Sequence, residues 1–330
     1  MGTSVITVAF ILGISIHPGT DGDQDRPGRK PPKSPGKRVD TIAELTFKVD
    51  PGIRAEQASV PMARVDPKTG KVTLWYNLGP KKYLVTSDDG LTFSGVEVLS
   101  MNPRSNPEKK RPAGKVQFPD GTFVRYRLDQ KGSLEGSTSR NGRFFRRDSS
   151  IGYSGNPGDN GKTGVWDIYY SKKAGGVVLF YIGDMQRGGV NNVRRAFSRD
   201  GKTFNFEDDN VFADKSAGGN ATFVDPKSIE LPDGTRRMFT MWQGAPPHPG
   251  HRAVGEIYSF LSKDGKTYER EPGIRLRCAD FSEFSVWSLN DPYVVRLLDG
   301  RYRMYICALV TDPKTNKERP VIVSATTPKG

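Results

Sequence analysis

The chain contains few of the residues that build metal centres and disulfide frameworks. Its 330 residues include two cysteines and three histidines. One disulfide between Cys278 and Cys307 would not make a disulfide scaffold, and the spacing of these two residues fits no metal motif. Two buried thiols are the more natural interpretation. We therefore expect no required cofactor and no metal site built from these residues.

Long apolar runs are equally scarce. The run from Val5 to Ile16 is too short to span a bilayer and has about the length of a signal-peptide core. No Lys or Arg precedes it, and no clear cleavage motif follows it. We expect a signal peptide over residues 1–20, a secreted or cell-envelope (periplasmic) location, and no membrane span. Residues 21–40 are rich in Pro, Gly and charge, which predicts a disordered linker before one folded domain over 41–330.

Acidic side chains are in the minority, because 50 Lys and Arg face 37 Asp and Glu, a formal net charge of +13. Residues 1–20 carry no charged side chain and residues 21–40 contribute +2, which leaves about +11 (13 − 2) for the folded part. This excess is either a solvated basic surface or an attraction for an anionic partner such as an acidic glycan. No RNA-recognition, zinc-finger or helix-turn-helix pattern is present, so we expect no nucleic-acid partner.

Helical periodicity is nearly absent, and a seven-residue phrase recurs instead. It reads SDDGLTF at 87–93, SRNGRFF at 139–145, SRDGKTF at 198–204 and SKDGKTY at 262–268. A fifth copy that lacks Asp-Gly is expected to open at Ser324. Each copy follows an apolar strand, a Gly-containing turn, an aromatic-rich strand, a loop and a third strand. The repeating unit therefore has four strands, A to D, with the phrase between C and D.

Five units of four antiparallel strands predict an all-β fold, a five-bladed β-propeller with four-stranded blades. The last unit stops after strand C and lacks its outer strand. The segment AELTFKVD, at about 43–50, is a spare strand ahead of the first unit. We predict that it completes the fifth blade and closes the ring of a monomeric protein.

The repeated phrase is best explained as a structural joint. The Asp or Asn side chain can accept backbone N–H bonds within the turn, and Gly supplies a positive φ. A functional site is then expected on the opposite face of the ring, where the A strands begin and the B–C loops lie.

Three carboxylates fall at that position when the units are aligned on the A–B turn. Asp225 lies eight residues before Asp233, and Asp291 and Asp167 hold the corresponding places in their units. In the first two units the position falls near Val60–Pro61 and Arg111–Pro112. Either the three acids converge at the channel mouth, or Asp-Pro simply marks a turn. Converging carboxylates are what glycosidic bond hydrolysis requires, and three of them could also hold a structural calcium ion.

Other polar and aromatic residues are predicted around the same mouth. Glu283, in CADFSEFSVWSLND, is a candidate acid, and Trp166 and Trp287 can stack on sugar rings. The B–C loops of the third and fourth units add further candidates for substrate binding. These are Asp184, Arg187, Asn191, His251 and Arg252. The alternative is that the tryptophans belong to the core and that the loop residues are only solvated.

The five-fold pattern, the Asp-Pro strand starts and the strings LPDGTRRMF and LLDGRYRMY resemble the five-bladed glycoside hydrolases. That group includes arabinanases, β-xylosidases, invertase-like fructosidases and mannoside phosphorylases. The phrase Ser-x-Asp-Gly-x-Thr-aromatic also resembles a shortened Asp-box of sialidases. The resemblance implies an Asp base on the first blade, with an Asp modulator and a Glu acid on later blades. Here the first blade offers Glu56 nearby, so those roles do not transfer directly.

The expected function is hydrolysis of glycosidic bonds in a poly- or oligosaccharide, acidic ones included. One alternative is a sialidase-like exo-glycosidase, which needs a Tyr nucleophile and three arginines around the substrate carboxylate. The arginines available for it are Arg194, Arg195, Arg236, Arg237 and Arg252. The other alternative is a non-catalytic glycan-binding propeller.

Overall fold

The structure is a computed structural model that describes residues 45–99, 114–185, 191–212, 222–244, 255–283, 285–311 and 318–329. These residues form five antiparallel sheets arranged as the blades of a β-propeller, which confirms the predicted fold. The predicted signal peptide and linker lie outside the described residues and stay predictions. In the part of the chain that is described, no helix has the length and apolarity needed to cross a membrane.

The first four blades each use four consecutive strands. Blade 1 contains β3 (Ser59–Val65), β4 (Val72–Leu78), β5 (Lys81–Ser87) and β6 (Ser94–Val98). Blade 2 contains β7 (Lys115–Gln117), β8 (Phe123–Leu128), β9 (Leu134–Ser139) and β10 (Arg146–Tyr153). Blade 3 contains β11 (Trp166–Ser171), β12 (Gly176–Ile182), β13 (Val193–Ser198) and β14 (Asn205–Asp208). Blade 4 contains β15 (Thr222–Glu230), β16 (Arg236–Gly244), β17 (Glu256–Ser262) and β18 (Glu269–Arg270).

Blade 5 combines the two ends of the chain. Its inner strands are β19 (Val286–Arg296), β20 (Tyr302–Thr311) and β21 (Glu318–Thr326). The short strands β1 (Lys48–Val49) and β2 (Ala55–Glu56) pair antiparallel with β21 along its outer edge. The prediction that an N-terminal strand completes the fifth blade is therefore confirmed.

In blades 3 and 5 the second strand is covered on both faces, because each of these blades packs between two neighbours. In β12, all seven residues of GVVLFYI are buried. A continuous apolar run is what such double burial requires, whereas a strand with one solvated face would alternate. The same reason accounts for the apolar run in β20.

The register of blade 5 corrects one prediction about the repeats. In blade 4, Ser262 pairs with Arg236, and in blade 5 the matching residue Tyr302 bonds to Thr327. Thr327, rather than Ser324, is therefore the counterpart of the repeated serine. Ser324 corresponds instead to Ser259, three residues before Ser262. The sequence pattern does not reveal this, because the fifth copy has lost the Asp-Gly that would have fixed its alignment.

The repeated phrase forms the C–D turn in blades 1 to 4. In blade 1, the Ser87 hydroxyl donates to Asp89 at 2.7 Å, and Asp89 accepts the N–H groups of Leu91 and Thr92. The N–H of Thr92, then that of Leu91 and the Ser87 hydroxyl lower the pKa of Asp89 to about 2. Gly90 adopts a φ of 70°, which a residue with a Cβ seldom tolerates.

The same turns also fasten neighbouring blades together. Tyr126 of blade 2 donates its hydroxyl to the carbonyl of Gly201 in the turn of blade 3, at 2.7 Å. Tyr305 of blade 5 bonds in the same way to Gly90 of blade 1, at 2.8 Å. A buried hydroxyl that reaches a turn carbonyl of the next blade fixes both the turn and the angle between the blades. These contacts give the repeated phrase a structural role.

Hydrophobic clusters join most of the blades. One cluster spans blades 3, 4 and 5, a second joins blades 2 and 3, and a third joins blades 1 and 5. Among the described residues, no such cluster joins blades 1 and 2; the cluster of Met62, Trp75 and Leu84 stays with blade 1 and Tyr293 of blade 5. Within the described residues, the apolar core is therefore continuous around the ring except at this junction.

Candidate carboxylate site

Two Asp-Pro pairs form β-bulges within the inner strands of blades 4 and 5. The pairing of β15 with β16 shifts between Val224 and Lys227, and that of β19 with β20 shifts between Asn290 and Tyr293. Asp225 and Asp291 occupy these bulges in the left-handed region, with φ of 56° and 51°. A bulge re-aims one side chain out of the regular alternation of a strand. The Asp residues of the two pairs therefore have a bulged, left-handed backbone that ordinary strand residues lack.

The two bulges meet at the junction between blades 4 and 5. The backbone N–H of Asp291 donates to Oδ2 of Asp225 at 3.0 Å. Both residues are almost enclosed, with exposed fractions of 7% for Asp225 and 3% for Asp291. The structure therefore brings together two of the three predicted acids as a buried neighbouring pair.

Burial raises the pKa of the Asp225 carboxyl above its ordinary value. The N–H of Asp291 and the charge of Lys227 act in the opposite direction, but the loss of solvation dominates. Burial also raises the pKa of Cys307, and the charges of Asp291 and Asp225 add to this effect, so the thiol lies within range of both carboxylates. Lys227 and Cys307 are members of the site that sequence reasoning missed. Lys227, two residues after Asp225, could have been found from its spacing.

Asp167 does not share the register of the pair, which corrects the sequence alignment. It pairs with Phe180 in a ladder without a bulge, whereas Lys227 pairs with the matching residue Phe239. Asp167 is therefore the counterpart of Lys227. Its Oδ2 accepts the N–H of Ser228 at 3.0 Å and the hydroxyl of Ser228 at 2.6 Å. This carboxylate ties blade 3 to the strand that carries Asp225.

Blade 1 has the same bulge with an apolar residue in it. The pairing of β3 with β4 shifts between Ser59 and Met62, and Val60 has a φ of 51° ahead of Pro61. Val60 is the structural counterpart of Asp225 and Asp291. The sequence alignment places Val60–Pro61 at this position, and the structure agrees. Three of the five inner strands therefore share the same bulge with a left-handed residue, and in two of them that residue is an Asp.

Replacing Val60 by Asn should stabilise the protein. A β-branched residue is strained in the left-handed region, where Asn is far better tolerated, and such strain costs about 1–3 kcal/mol. Val60 is half-buried, so the lost apolar contact offsets part of the gain. We expect the free energy of unfolding to rise by about 1 kcal/mol in urea denaturation.

Val96→Asn is the matched control, because Val96 is 65% exposed on β6. It should change the free energy of unfolding by less than about 0.5 kcal/mol. A loss of stability in Val60→Asn would show that the side chain of Val60 contributes more by packing than its backbone costs in strain.

Glu283 lies at the outer edge of blade 5. Its carboxylate accepts the N–H of Gly52 at 2.9 Å, just beyond β1. It borders a cavity of about 320 Å³ that is also lined by Phe47, Lys48 and Phe281. In the strand order β1-β21-β20-β19, this edge is three strand spacings from the inner strand, or about 14 Å. The contacts of Glu283 therefore belong to the ring closure and not to the Asp pair.

The predicted substrate-binding residues divide into four groups, the last of which is the pair Asp184 and Asn191. Trp166 packs against Gly114 of blade 2, where an added Cβ would come within 2.7 Å of the indole, so it serves the core. Trp287 is half-buried at the start of β19, and its Nε1 has no hydrogen-bond partner within the described residues. Arg187, His251 and Arg252 lie outside the described residues.

Asp184 and Asn191 flank the B–C loop of blade 3. Both are buried and adopt positive φ values, 55° and 52°. Asp184 accepts a bond from Asn160 Nδ2 at 2.9 Å. Their backbone shape explains why Asp and Asn stand here, because these residues visit the left-handed region more readily than others.

The arginines proposed for a sialidase-like site are engaged elsewhere. Arg194 bonds to Asp159 at 3.0 Å, Arg195 to Glu207 at 3.0 Å and Arg237 to Glu271 at 2.9 Å. Arg236 pairs with Glu230 and lies over the ring of Tyr169. Each of these four cations has its own partner, and they do not form one cluster open to a substrate carboxylate.

The structure gives two further results on metal and redox chemistry. Cys278 and Cys307 carry free thiols, as the sequence suggested. Across the described ranges, no three His, Cys, Asp or Glu side chains lie close enough to hold a metal ion. The carboxylate site is therefore a pair with a nearby lysine and not a converging trio.

No protein-family model and no curated protein sequence matches the chain. Solved structures do match it in fold. An α-L-arabinofuranosidase from Podospora anserina in complex with cellotriose is 13% identical, with a TM-score of 0.51 over 90% of this chain and 100% of that one. The protein of an RGII complex is 13% identical, with a TM-score of 0.53 over 85% of this chain and 90% of the other. A structure described as a glycoside hydrolase is 14% identical, with a TM-score of 0.52 and the same coverage. These comparisons confirm, at the level of fold, the resemblance to five-bladed glycoside hydrolases.

Proposed function

We propose that the protein hydrolyses glycosidic bonds and that Asp225 and Asp291 are its catalytic carboxylates. The observation that carries this proposal is their arrangement. Two bulged Asp-Pro pairs from adjoining blades place the carboxyl group of Asp225 against the backbone N–H of Asp291, and burial raises the pKa of that carboxyl group. Perturbed carboxyl groups of this kind cluster at functional sites.

The different environments of the two Asp residues assign them different catalytic roles. Asp225 keeps its proton to a higher pH than an ordinary Asp and donates it to the leaving oxygen. Asp291 acts as the base or the nucleophile on the sugar. Asp167 is a positioning residue, because it holds Ser228 on the strand that carries Asp225. Glu283 takes no part in this assignment.

Other residues at the mouth would bind the sugar. Trp287 offers a half-buried ring, and Asp184 and Asn191 lie at the base of the B–C loop of blade 3. We propose a carbohydrate substrate and an extracellular or envelope location, in line with the apolar N-terminal run. The sialidase-like alternative is weakened by the ion pairs of Arg194, Arg195 and Arg237.

The test of this function is product analysis on a glycan panel. The full chain is incubated with arabinan, xylan, fructan, sialosides and sulfated polysaccharides, and products are identified by mass spectrometry. We expect a defined sugar or oligosaccharide from one neutral or acidic glycan. Release of sialic acid alone would establish the sialidase-like alternative. Binding without release from any substrate would overturn the proposal in favour of a glycan-binding propeller.

A further inference from the structure

The junction between blades 1 and 2 is built differently from the others. Among the described residues it lacks both a shared apolar core and the tyrosine latch seen elsewhere. Trp75 of blade 1 occupies the strand position that Tyr126 holds in blade 2 and Tyr305 in blade 5. A tryptophan has no hydroxyl to reach a turn carbonyl. In this part of the chain, no tyrosine hydroxyl closes the junction as those of Tyr126 and Tyr305 close theirs.

A row of polar side chains crosses blade 2 on the face turned toward blade 1. Lys115 pairs with Arg125, Arg125 with Ser137, and Ser137 with Arg147. Directly opposed residues share one face of a sheet, so all four lie on the same side. The opposite face, with Val124 and its neighbours, packs on blade 3.

Blade 1 carries a second row of polar side chains, on the face turned toward blade 2. Arg64 pairs with Thr73, Thr73 with Thr86, and Thr86 with Ser94. These four side chains are half-buried or exposed. We call the space between the two rows the basic cleft, bounded by Arg64, Thr73 and Thr86 on blade 1 and by Lys115, Arg125, Ser137 and Arg147 on blade 2.

Three cations of the basic cleft lie together without an ion-pair partner in the described part of the chain. The charges of Arg125 and Arg64 reach Lys115, and after burial they are the next causes that lower its pKa. Within the described residues, no ion pair joins Arg64, Lys115 or Arg125 to a carboxylate. Arg125 Nε is buried and unbonded in the same ranges.

Two acidic groups near these cations in the described part of the chain already have other partners. Glu135 pairs with Arg127 at 3.4 Å and with Arg147 at 3.2 Å. Asp66 accepts the N–H groups of Thr69 and Lys68 in its own turn, and Arg64 is the least of the causes that lower its pKa. Like charges held close in a partly buried cleft repel one another, and a bound anion removes that cost.

The geometry of the basic cleft also orients its donors. The Arg125 guanidinium lies over the ring of Phe145 at 4.0 Å, and the Lys115 ammonium lies over the ring of Phe123 at 4.7 Å. Stacking fixes a guanidinium plane, so its N–H groups can meet a planar or tetrahedral anion in a set direction. The hydroxyls of Thr73, Thr86 and Ser137 can bond to neutral sugar hydroxyls between the charged groups.

We propose that the basic cleft binds the carboxylate or sulfate groups of an acidic glycan, as a site separate from the Asp pair. The choice of a glycan rests on the proposed function, whereas the choice of an anion rests on the three cations of the cleft. Because Lys115 and Arg64 lie on the innermost strands of their blades, the cleft runs from the channel to the rim of the ring. A glycan bound there would extend away from the carboxylate site along the wall of blade 2.

The test measures binding and not turnover. The full chain is titrated calorimetrically with a sulfated hexasaccharide, a galacturonate hexamer and a neutral xylohexaose, and sodium sulfate is used as a single-anion competitor. We expect at least one acidic hexasaccharide to bind ten-fold or more tightly than the neutral one. Affinity should fall as salt rises, because charged contacts are screened. Equal affinity for the neutral chain would overturn the proposal.

The decisive comparison uses two variants that lose the same charge. Lys115→Gln with Arg125→Gln should weaken binding of the acidic chain by ten-fold or more. Lys172→Gln with Lys173→Gln, at the exposed A–B turn of blade 3, should change it by less than two-fold. Equal losses in both variants would mean diffuse attraction by net charge and would overturn the assigned site. The choice of a glycan would be overturned if a single-stranded oligonucleotide of matched charge bound as tightly through Lys115 and Arg125.

The same variants separate this inference from the proposed function. The variant of the basic cleft should keep its melting temperature and its rate on a short uncharged glycoside. If hydrolysis is found and acidic binding is not, the cleft proposal alone fails. If acidic binding is found in a protein that hydrolyses nothing, the proposed function fails and the basic cleft stands.

Discussion

Asp225→Asn should abolish most glycoside hydrolysis and should at the same time make the protein more stable at neutral pH. A positioned acid or base contributes about 10²–10⁴-fold to the rate, and Asn can neither donate nor accept the catalytic proton. The amide keeps an oxygen that can accept the N–H of Asp291, so the local backbone should remain in place. We expect a rate loss in that range on whichever substrate the glycan panel identifies.

The stability gain follows from the sign of the pKa shift. Asp225 has a raised pKa in the folded protein, so the folded state binds its proton more tightly than the unfolded chain does. Its contribution to stability is therefore full below the ordinary pKa of Asp and is lost as pH rises through the raised value. Asn carries no charge at any pH. The melting temperature of Asp225→Asn should exceed that of the wild type at pH 7 to 8, and the difference should shrink toward pH 4.

Asp233→Asn is the control for both readouts, because it makes the same change in the same blade at the opposite end of β15. Asp233 is exposed, and the hydroxyl and N–H of Thr235 lower its pKa, so its charged form is favoured in the folded state. Its variant should keep full activity and should be slightly less stable than the wild type at neutral pH, with the difference lost in acid. A lower melting temperature of Asp225→Asn at neutral pH would contradict the argument from burial. An unchanged rate would contradict the catalytic role of Asp225.

A chain that begins at Ser59 should fail to form a stable propeller. It would lack β1, β2 and Asp50, and so would leave the outer edge of β21 without a partner. Asp50 accepts the hydroxyls of Ser324 and Thr326 and lies 3.5 Å from the Arg303 guanidinium, which is buried. Removing one partner of a buried ion pair costs about 3–5 kcal/mol, a large part of the 5–15 kcal/mol by which a domain is usually stable.

The control is a chain that begins at Leu45 and keeps the closing segment. It retains Phe47, which is 1% exposed and packs edge-on against Phe239 at a centroid distance of 5.9 Å. We expect this chain to melt cooperatively near the temperature of the full chain, and the chain from Ser59 to lose near-ultraviolet circular dichroism and cooperative melting. Equal melting temperatures would show that the N-terminal strand covers the blade without holding the ring closed.

The five-bladed architecture could be predicted from the sequence because the repeats carried two separate signals. The Ser-x-Asp-Gly turns marked one end of each unit, and the count of strands left one outer strand missing and one spare. The contacts of Asp50 explain how the N-terminal strand closes the fifth blade. It meets Arg303 and Ser324 as Glu271 meets Arg237 and Ser259 in blade 4. The ends of the chain thereby rebuild the ion pair of an intact blade.

The carboxylate site was predictable in part. Counting residues from the A–B turn found Asp225, Asp291 and Val60 together, because all three strands contain the same extra residue. The count placed Asp167 with them wrongly, since β11 has no bulge and Asp167 corresponds to Lys227, two residues after Asp225. Glu283 was assigned to the mouth because a connecting loop has no periodicity that reveals its path. The cations of the basic cleft come together through cross-strand register, which the sequence does not display.

The most direct test of the carboxylate pair is a comparison of initial rates of reducing-sugar release. It uses the wild type, Asp225→Asn, Asp291→Asn and the double variant, on one substrate and at equal protein concentration. Residues that act as a unit are not additive, so the double variant should lose about as much as either single variant. Release that persists unchanged in Asp225→Asn or Asp291→Asn would contradict the account and would place the chemistry elsewhere on the ring.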